Sequence, residues 1–409
     1  MKFWANPQET SLAWVALLYA LMCHASFDIL TAGEDSPGMD IQSYRSNCSQ
    51  CLILSKYTQP GPYTLEAFIF YMQAEFFLSK YDQVNCYCLG GIAVRLGFRM
   101  GLHRDSTKIG GEISIYQAEM RRRLWHMLVQ IDLLASFHIG LPSMVQAIES
   151  DTEFPRNLRD EDFNEYSTEL PPGRPETEMT PTSYTNSKGI ICQVFGKIAS
   201  QAHRLSRPSY NEVLDLDAQL DQAFAKVPHF LQLIPLGLAI TDSPDVITKR
   251  FGIALLYNKA RCVLHRKYLM QERENHEYAY SKSAGVDAAL KILQCQADII
   301  NAVQPGGPLS NEKWFVSSLS MHDFLLAGTI IYLNLAQDVE AQTPSRNQQE
   351  MIAALERSYA TWVKTEEFRD EAKKASGVVL LMCQKIKVAF GPKHGQFLAN
   401  LSDLSLNGI

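Results

Sequence analysis

Apolar residues in this chain recur at steps of three and four, and that spacing constrains the fold more than any other feature. Between Gln117 and His138, the residues Met120, Leu124, Met127, Leu128, Ile131, Leu134 and Ala135 keep to one helical face. The same step returns in Leu65, Phe68, Ile69, Met72, Phe76 and Phe77, and again in Ile352, Leu355, Tyr359 and Trp362. Residues 82–103 read as a further helix, started by the capping-type Asp82 and ended where the chain reaches Gly101. Helical patterns continue over residues 246–271, 283–303, 314–336, 349–365 and 369–387. No stretch sustains the period-two alternation of a half-buried strand. The expectation is an all-α, multi-helix protein.

Residues 167–188, rich in Pro, Thr and Ser, have little to bury and are expected to be an exposed linker. They would divide a first helical half, 1–166, from a second, 189–409. A 46% hydrophobic content over 409 residues allows a large core, so disorder is excluded. The net charge of −6 is the wrong sign for a broad phosphate-holding face, so direct sequence-specific DNA binding is not expected. Nine cysteines, an odd number, sit mostly inside apolar patterns and read as reduced thiols. Cys48-x-x-Cys51 and Cys86-x-Cys88 offer four thiolates, but their long gap and the single residue inside the second pair argue against zinc. The apolar run from Leu12 to Cys23 is too short to span a bilayer and follows a polar segment, so it is expected to be a buried core helix, with no membrane involved.

His103-Arg104-Asp105 matches the opening of a kinase catalytic loop, where an Asn five residues after the Asp would hold magnesium. That position is Gly110, and the phosphate loop and strand lysine are missing, so the kinase reading fails. No Gly-x-Ser-x-Gly, His-Glu-x-x-His, Gly-x-Gly-x-x-Gly or phosphate-loop lysine motif occurs. Asp160-Glu161-Asp162 is acidic enough for magnesium but lacks a facing ligand set, and reads as a solvated loop. Arg104 and Asp105 near the end of one helix, and Arg121, Arg122 and Arg123 near the start of the next, are expected to exchange charge-assisted hydrogen bonds that fix how the two meet. Three arginines beside Glu119 make a poor DNA or nuclear-import patch in an acidic chain. Asp132 and Ser136 share a helical face, and Asp132 reads as a satisfied core carboxylate rather than a general base. No catalytic, cofactor-binding, metal or DNA-binding residue is assigned; His103, Asp132 and His138 are the polar groups to mutate first if turnover were found.

Read together, Gly101-Leu102-His103-Arg104-Asp105, Glu119-x-Arg121-Arg122-Arg123-Leu124-Trp125 and Asp132-x-x-x-Ser136-x-x-x-Gly140-x-Pro142 resemble the middle homology region of fungal binuclear-zinc-cluster transcription factors. Phe154-Pro155-x-Asn157 with its following acidic stretch, Leu264-His265-Arg266-Lys267-Tyr268-Leu269, and His322-Asp323-Phe324-Leu325-Leu326-Ala327 extend the resemblance, as does the region 362–375. The departures are His126 in place of a second Trp, Leu141 in place of an Arg that would pair with a carboxylate such as Asp132, and Lys267 in place of Pro. The resemblance implies an all-α regulatory region that normally follows a six-cysteine zinc cluster, a module these 409 residues do not contain. It implies a fungal transcription regulator, of a metabolic or secondary-metabolite gene cluster, working in the nucleus, with the cytoplasm as the alternative. It would act through a protein partner (a DNA-binding regulator or co-regulator), through self-association, or through a small-molecule effector. No cofactor is expected. The competing reading is a cofactor-independent cyclase built on the same scaffold, which would need a shaped apolar pocket rather than a motif.

Overall fold

The computed structural model describes residues 2–32, 40–78, 83–109, 113–206, 208–271, 276–312, 315, 321–341, 347–365 and 370–390. The expected cap at Asp82, the pattern at 314 and residues 366–369 lie outside them. Every long element is a helix, and no strand occurs among the described residues. We number the long helices α1 Leu12–Ala32, α2 Ile41–Leu54, α3 Thr64–Leu78, α4 Gln83–Arg99, α5 Ile115–His138 and α6 Pro181–His203. They continue as α7 Tyr210–Ala225, α8 Pro244–His265, α9 Ala279–Ala302, α10 Met321–Ala341, α11 Gln348–Thr365 and α12 Asp370–Phe390.

The chain forms two compact units. One comprises Met1–Arg204, Ala223–Leu231 and Asn311–Ser318; the other comprises Leu205–Gln222, Gln232–Ser310 and Leu319–Ile409. The stretch 167–188 therefore lies inside the first unit, and it is not a plain linker. Thr180 caps α6 with Pro181 at its first position, the Thr180 and Ser183 side chains and backbone amides close a reciprocal box, and Thr180, Thr182, Ser183 and Ser187 are buried. Asn157 is the hub of this loop. Its Nδ2 donates to the carbonyls of Arg174, Pro175 and Glu178, and its Oδ1 accepts from Thr180 and Ser183. Composition misled because hydroxyl groups that pair with backbone are as buriable as small apolar ones.

In the first unit, α1 packs on α2 and α3, α3 on α4, α4 on α5, and α5 on α6. The apolar stretch of α1 runs for 19 residues, Leu12–Leu30, and does not stop at Cys23; by length and composition alone it passes for a membrane span. Its small residues Ala13, Ala16, Ala20 and Cys23 form the buried edge, while Leu12, Leu21 and Leu30 are exposed. The expected buried core helix is thus buried on one face, with leucines exposed on the other. A helix that is apolar all round gives no periodic sign of which face packs. Helix α2 left no expectation in the sequence because its buried stripe is narrow, with only Cys48 and Leu52 buried along it; α7 buries Val213, Leu216, Leu220 and Ala223 at helical spacing, a period the sequence reading passed over. Arg45 of α2 pairs with the buried Glu75 of α3, which joins these two helices. In the second unit, α9 is the central helix, contacting α8, α10 and α11, and α12 packs on α10 and α11.

Candidate functional site

The motif residues converge on the joint between α4 and α5. At the end of α4 the Leu102 amide donates to Gly97 O and the Gly101 amide to Phe98 O, each at 2.9 Å, with Gly101 at φ 69°. This six-to-one and five-to-two pair requires a left-handed residue, which is why glycine stands there. The same pair ends α5: Leu141 N to Ser136 O at 2.9 Å and Gly140 N to Phe137 O at 3.1 Å, with Gly140 at φ 73°. Ser114 and Gln117 close a capping box at the start of α5.

Each arginine of the triplet has a separate task. Arg121 donates to Ser106 Oγ (2.8 Å) and to Met100 O (2.7 Å), satisfying a carbonyl left over at the end of α4. Arg122 forks onto both oxygens of Asp105 at 2.8 and 3.0 Å, with its side chain 7% exposed and that of Asp105 at 0%. Burial works against the Asp105 charge, yet hydrogen bonds from Arg122, Thr107 and the Glu153 amide outweigh it and hold the carboxyl well below the usual carboxylate range. Arg123 reaches Asp160 at 2.8 Å and lies over the Phe163 ring. Arg104 contacts Asp151 at the surface. Of the expected exchange between the two helices, the Asp105–Arg122 pair is present, while Arg104, Arg121 and Arg123 find other partners in the same joint. Nearby, Arg174 forks onto Asp162 at 2.6 and 2.7 Å, so part of the acidic triplet is tied into the loop, not simply solvated.

His103 packs edge-on against Phe98 and near Trp125, and its backbone carbonyl accepts from Ser150 Oγ and Asp151 N. Asp132 accepts from Ser143 Oγ (2.6 Å) and the Val145 amide (3.1 Å), so it holds the loop after α5, and its partner is not the residue at 141. Ser136 Oγ is buried with no partner among the described residues. His138 is the last residue of α5. His126 stacks on Phe154 with ring centres 4.1 Å apart; burial lowers its pKa from the ordinary histidine value, and Nε2–H donates to Glu153 O at 3.0 Å. Leu133, Phe137, Leu141, Pro142, Gln146, Ser200, His203 and Arg204 line an open cleft of about 270 Å³ beside α5 and α6. The Gln146 carboxamide lies 2.2 Å from where a Cβ on Gly196 would stand, so that glycine makes room for it.

The second unit holds a network that pattern reading missed. Asp217 of α7 receives Arg261 Nε at 3.1 Å and the Tyr280 hydroxyl, and lies 3.2 Å from His265 Nε2. His265 Nδ1 is 2.9 Å from Ser281 Oγ, which in turn is 3.0 Å from the Tyr210 hydroxyl. Asp–His–Ser in this order resembles a nucleophile triad. Here Asp217 is 2% exposed and both His265 and Ser281 are fully buried, and Tyr210 occupies the other side of the Ser281 hydroxyl. Burial opposes the Asp217 charge, but His265, Tyr280 and Arg261 together hold the carboxyl far below its usual range. The arrangement joins α7, α8 and α9. The only sequence signal was His265 inside the 264–269 motif. Ser281→Ala is expected to destabilise the fold by about 1–3 kcal/mol, because it leaves the buried His265 Nδ1 and the half-buried Tyr210 hydroxyl without their partner. A fluorophosphonate serine probe should leave the folded chain unlabelled; stoichiometric labelling of Ser281 would make it a nucleophile.

Cys48 is buried and its thiol is pushed up to about 12 by burial, Cys86 is buried, and Cys88 is exposed. No group of three or more His, Cys, Asp or Glu side chains suited to a metal ion occurs among the described residues.

The model of the family described as fungal specific transcription factor domain matches residues 3–225. The chain is similar to the Zn(2)-C6 fungal-type transcription factor pigI of Monascus ruber, 39% identical over 98% of this chain and 50% of that protein. It is similar to the Zn(2)-C6 fungal-type transcription factor mpsB of Macrophomina phaseolina, 37% identical over 96% of this chain and 55% of the other. For the equisetin cluster transcription factor eqxF of Fusarium heterosporum the values are 33%, 97% and 59%. The chain thus spans about half the length of the curated relatives it matches. No solved structure matches it.

Proposed function

This chain belongs to the fungal specific transcription factor domain family, and from that premise we propose that it is the helical regulatory region of a nuclear transcription regulator that controls a set of biosynthetic genes. The observation that carries this reading is the similarity to transcription factors over 96–98% of the chain, which takes in both compact units. One relative of this kind is named an equisetin cluster transcription factor. The geometry supports a regulatory scaffold, because the residues of the recognisable motifs are engaged in helix ends and ion pairs. With a net charge of −6 and no six-cysteine module in these 409 residues, DNA contact is assigned to something outside them. The partner is a DNA-binding regulator, a co-regulator or a second copy.

Deleting the gene is expected to change the transcripts of a linked set of biosynthetic genes, and a tagged chain should collect in the nucleus. The purified protein should leave pathway intermediates unchanged. Level transcripts in the deletion strain, with one intermediate accumulating and being consumed when the protein is added, would instead identify an enzyme.

A further inference from the structure

We propose that the cleft beside α5 and α6 binds a compact apolar carboxylate. The proposal deepens the regulatory reading and rests on it only for the consequence of binding. The apolar side chains Phe137, Leu141 and Pro142 form much of the wall, over the buried Leu133. Leu141 remains 42% exposed. Its amide is fixed to Ser136 O directly after the left-handed Gly140, so the helix ending itself presents a leucine to the cleft. Phe137 is held from behind by an edge contact with the fully buried Phe195, with ring centres 4.8 Å apart. The wall is therefore preformed.

The polar groups decide the ligand class. His203 Nδ1 lies 2.7 Å from Ala199 O and its Nε2 3.2 Å from Gly140 O, so this ring ties α6 to the end of α5. Ser143 is occupied with Asp132, and Asp132 itself does not line the cleft. Arg204 is the one guanidinium among the lining residues, and no carboxylate among the described residues pairs with it. A cation at the edge of an apolar wall suits a ligand with an apolar body and an anionic head. The volume of about 270 Å³ restricts that body to a compact one.

The test is isothermal titration of the full chain with adamantanecarboxylate and with adamantanemethanol, which share a body and differ in charge. The acid is expected to bind saturably and roughly tenfold more tightly than the alcohol, equivalent to about 1.4 kcal/mol. Arg204→Gln should bring the acid down to the affinity of the alcohol, and Leu141→Asp should abolish binding of the acid. Both residues are exposed, and unchanged circular dichroism and melting would show that each variant folds. Equal affinity for acid and alcohol, an Arg204→Gln variant that binds the acid as the parent does, or no saturable binding of either probe would overturn the proposal. A deletion strain with altered transcripts alongside a protein that fails to bind the acid removes this proposal and leaves the regulatory reading. Binding with level transcripts does the opposite.

Discussion

Arg122→Ala is expected to lower the stability of the first unit by about 3–5 kcal/mol at neutral pH, since it strands the buried Asp105 carboxylate without its cation. The pair is enclosed, at 7% and 0% side-chain exposure, so solvent screens little of its interaction. The effect has a pH signature. In the parent protein the Asp105 pKa is depressed, so its contribution is present above the unfolded value of about 3.9 and is lost as pH falls through the lower folded value. In the variant the cation is gone and burial dominates, so protonation of Asp105 relieves the penalty. Urea-unfolding free energies of parent and variant should therefore converge as pH is lowered toward about 4. Arg122→Lys should recover only part of the loss, because an ammonium cannot fork onto both oxygens. Equal stability at neutral pH, or a penalty that does not change with pH, would remove the ion pair from its place in the joint.

Trp125→Ala should cost a similar amount, about 3–5 kcal/mol, by a different route. Trp125 is 1% exposed and belongs to the first unit's core cluster with Leu102, Leu124 and Leu128. Phe98 packs against it at 5.7 Å between ring centres. Gly97 lies under the same cluster, where an added Cβ would stand 2.7 Å from Leu128 Cδ2, so the packing has no slack on that side. The loss is one of apolar contact and a residual cavity, so it should be independent of pH between about 4 and 7, in contrast to Arg122→Ala. Trp125→Phe should retain most of the stability. A thermal melt of Trp125→Ala that matches the parent would show that the ring is dispensable to the core.

Much of the first unit's joint was legible because its residues are local and few. Gly101 and Gly140 stand where left-handed helix endings need glycine, and arginines one turn into a helix face the acid left at the end of the previous one. The assignment of Arg121 to a carbonyl, Arg122 to Asp105 and Arg123 to Asp160 was not legible, since adjacent helical residues point about 100° apart and only packing decides what each meets. The buried hub at Asn157 was hidden in a stretch whose Pro, Thr and Ser content resembles a linker. The cleft was equally hidden, as its wall unites residues from 133–146 and 199–204 that no spacing relates.

By itself the sequence determined that the chain is all-α, where most of its helices lie, and which motif glycines and arginines sit at helix ends, because backbone conformation and helical periodicity act over a few residues. Only the tertiary structure decided that α6 begins inside the Pro/Thr/Ser stretch, that one face of α1 stays exposed, and that Asp217, His265 and Ser281 meet in a closed network. Those outcomes depend on which surfaces are brought together from distant parts of the chain, and burial and pairing are properties of that assembly, with no local period to announce them.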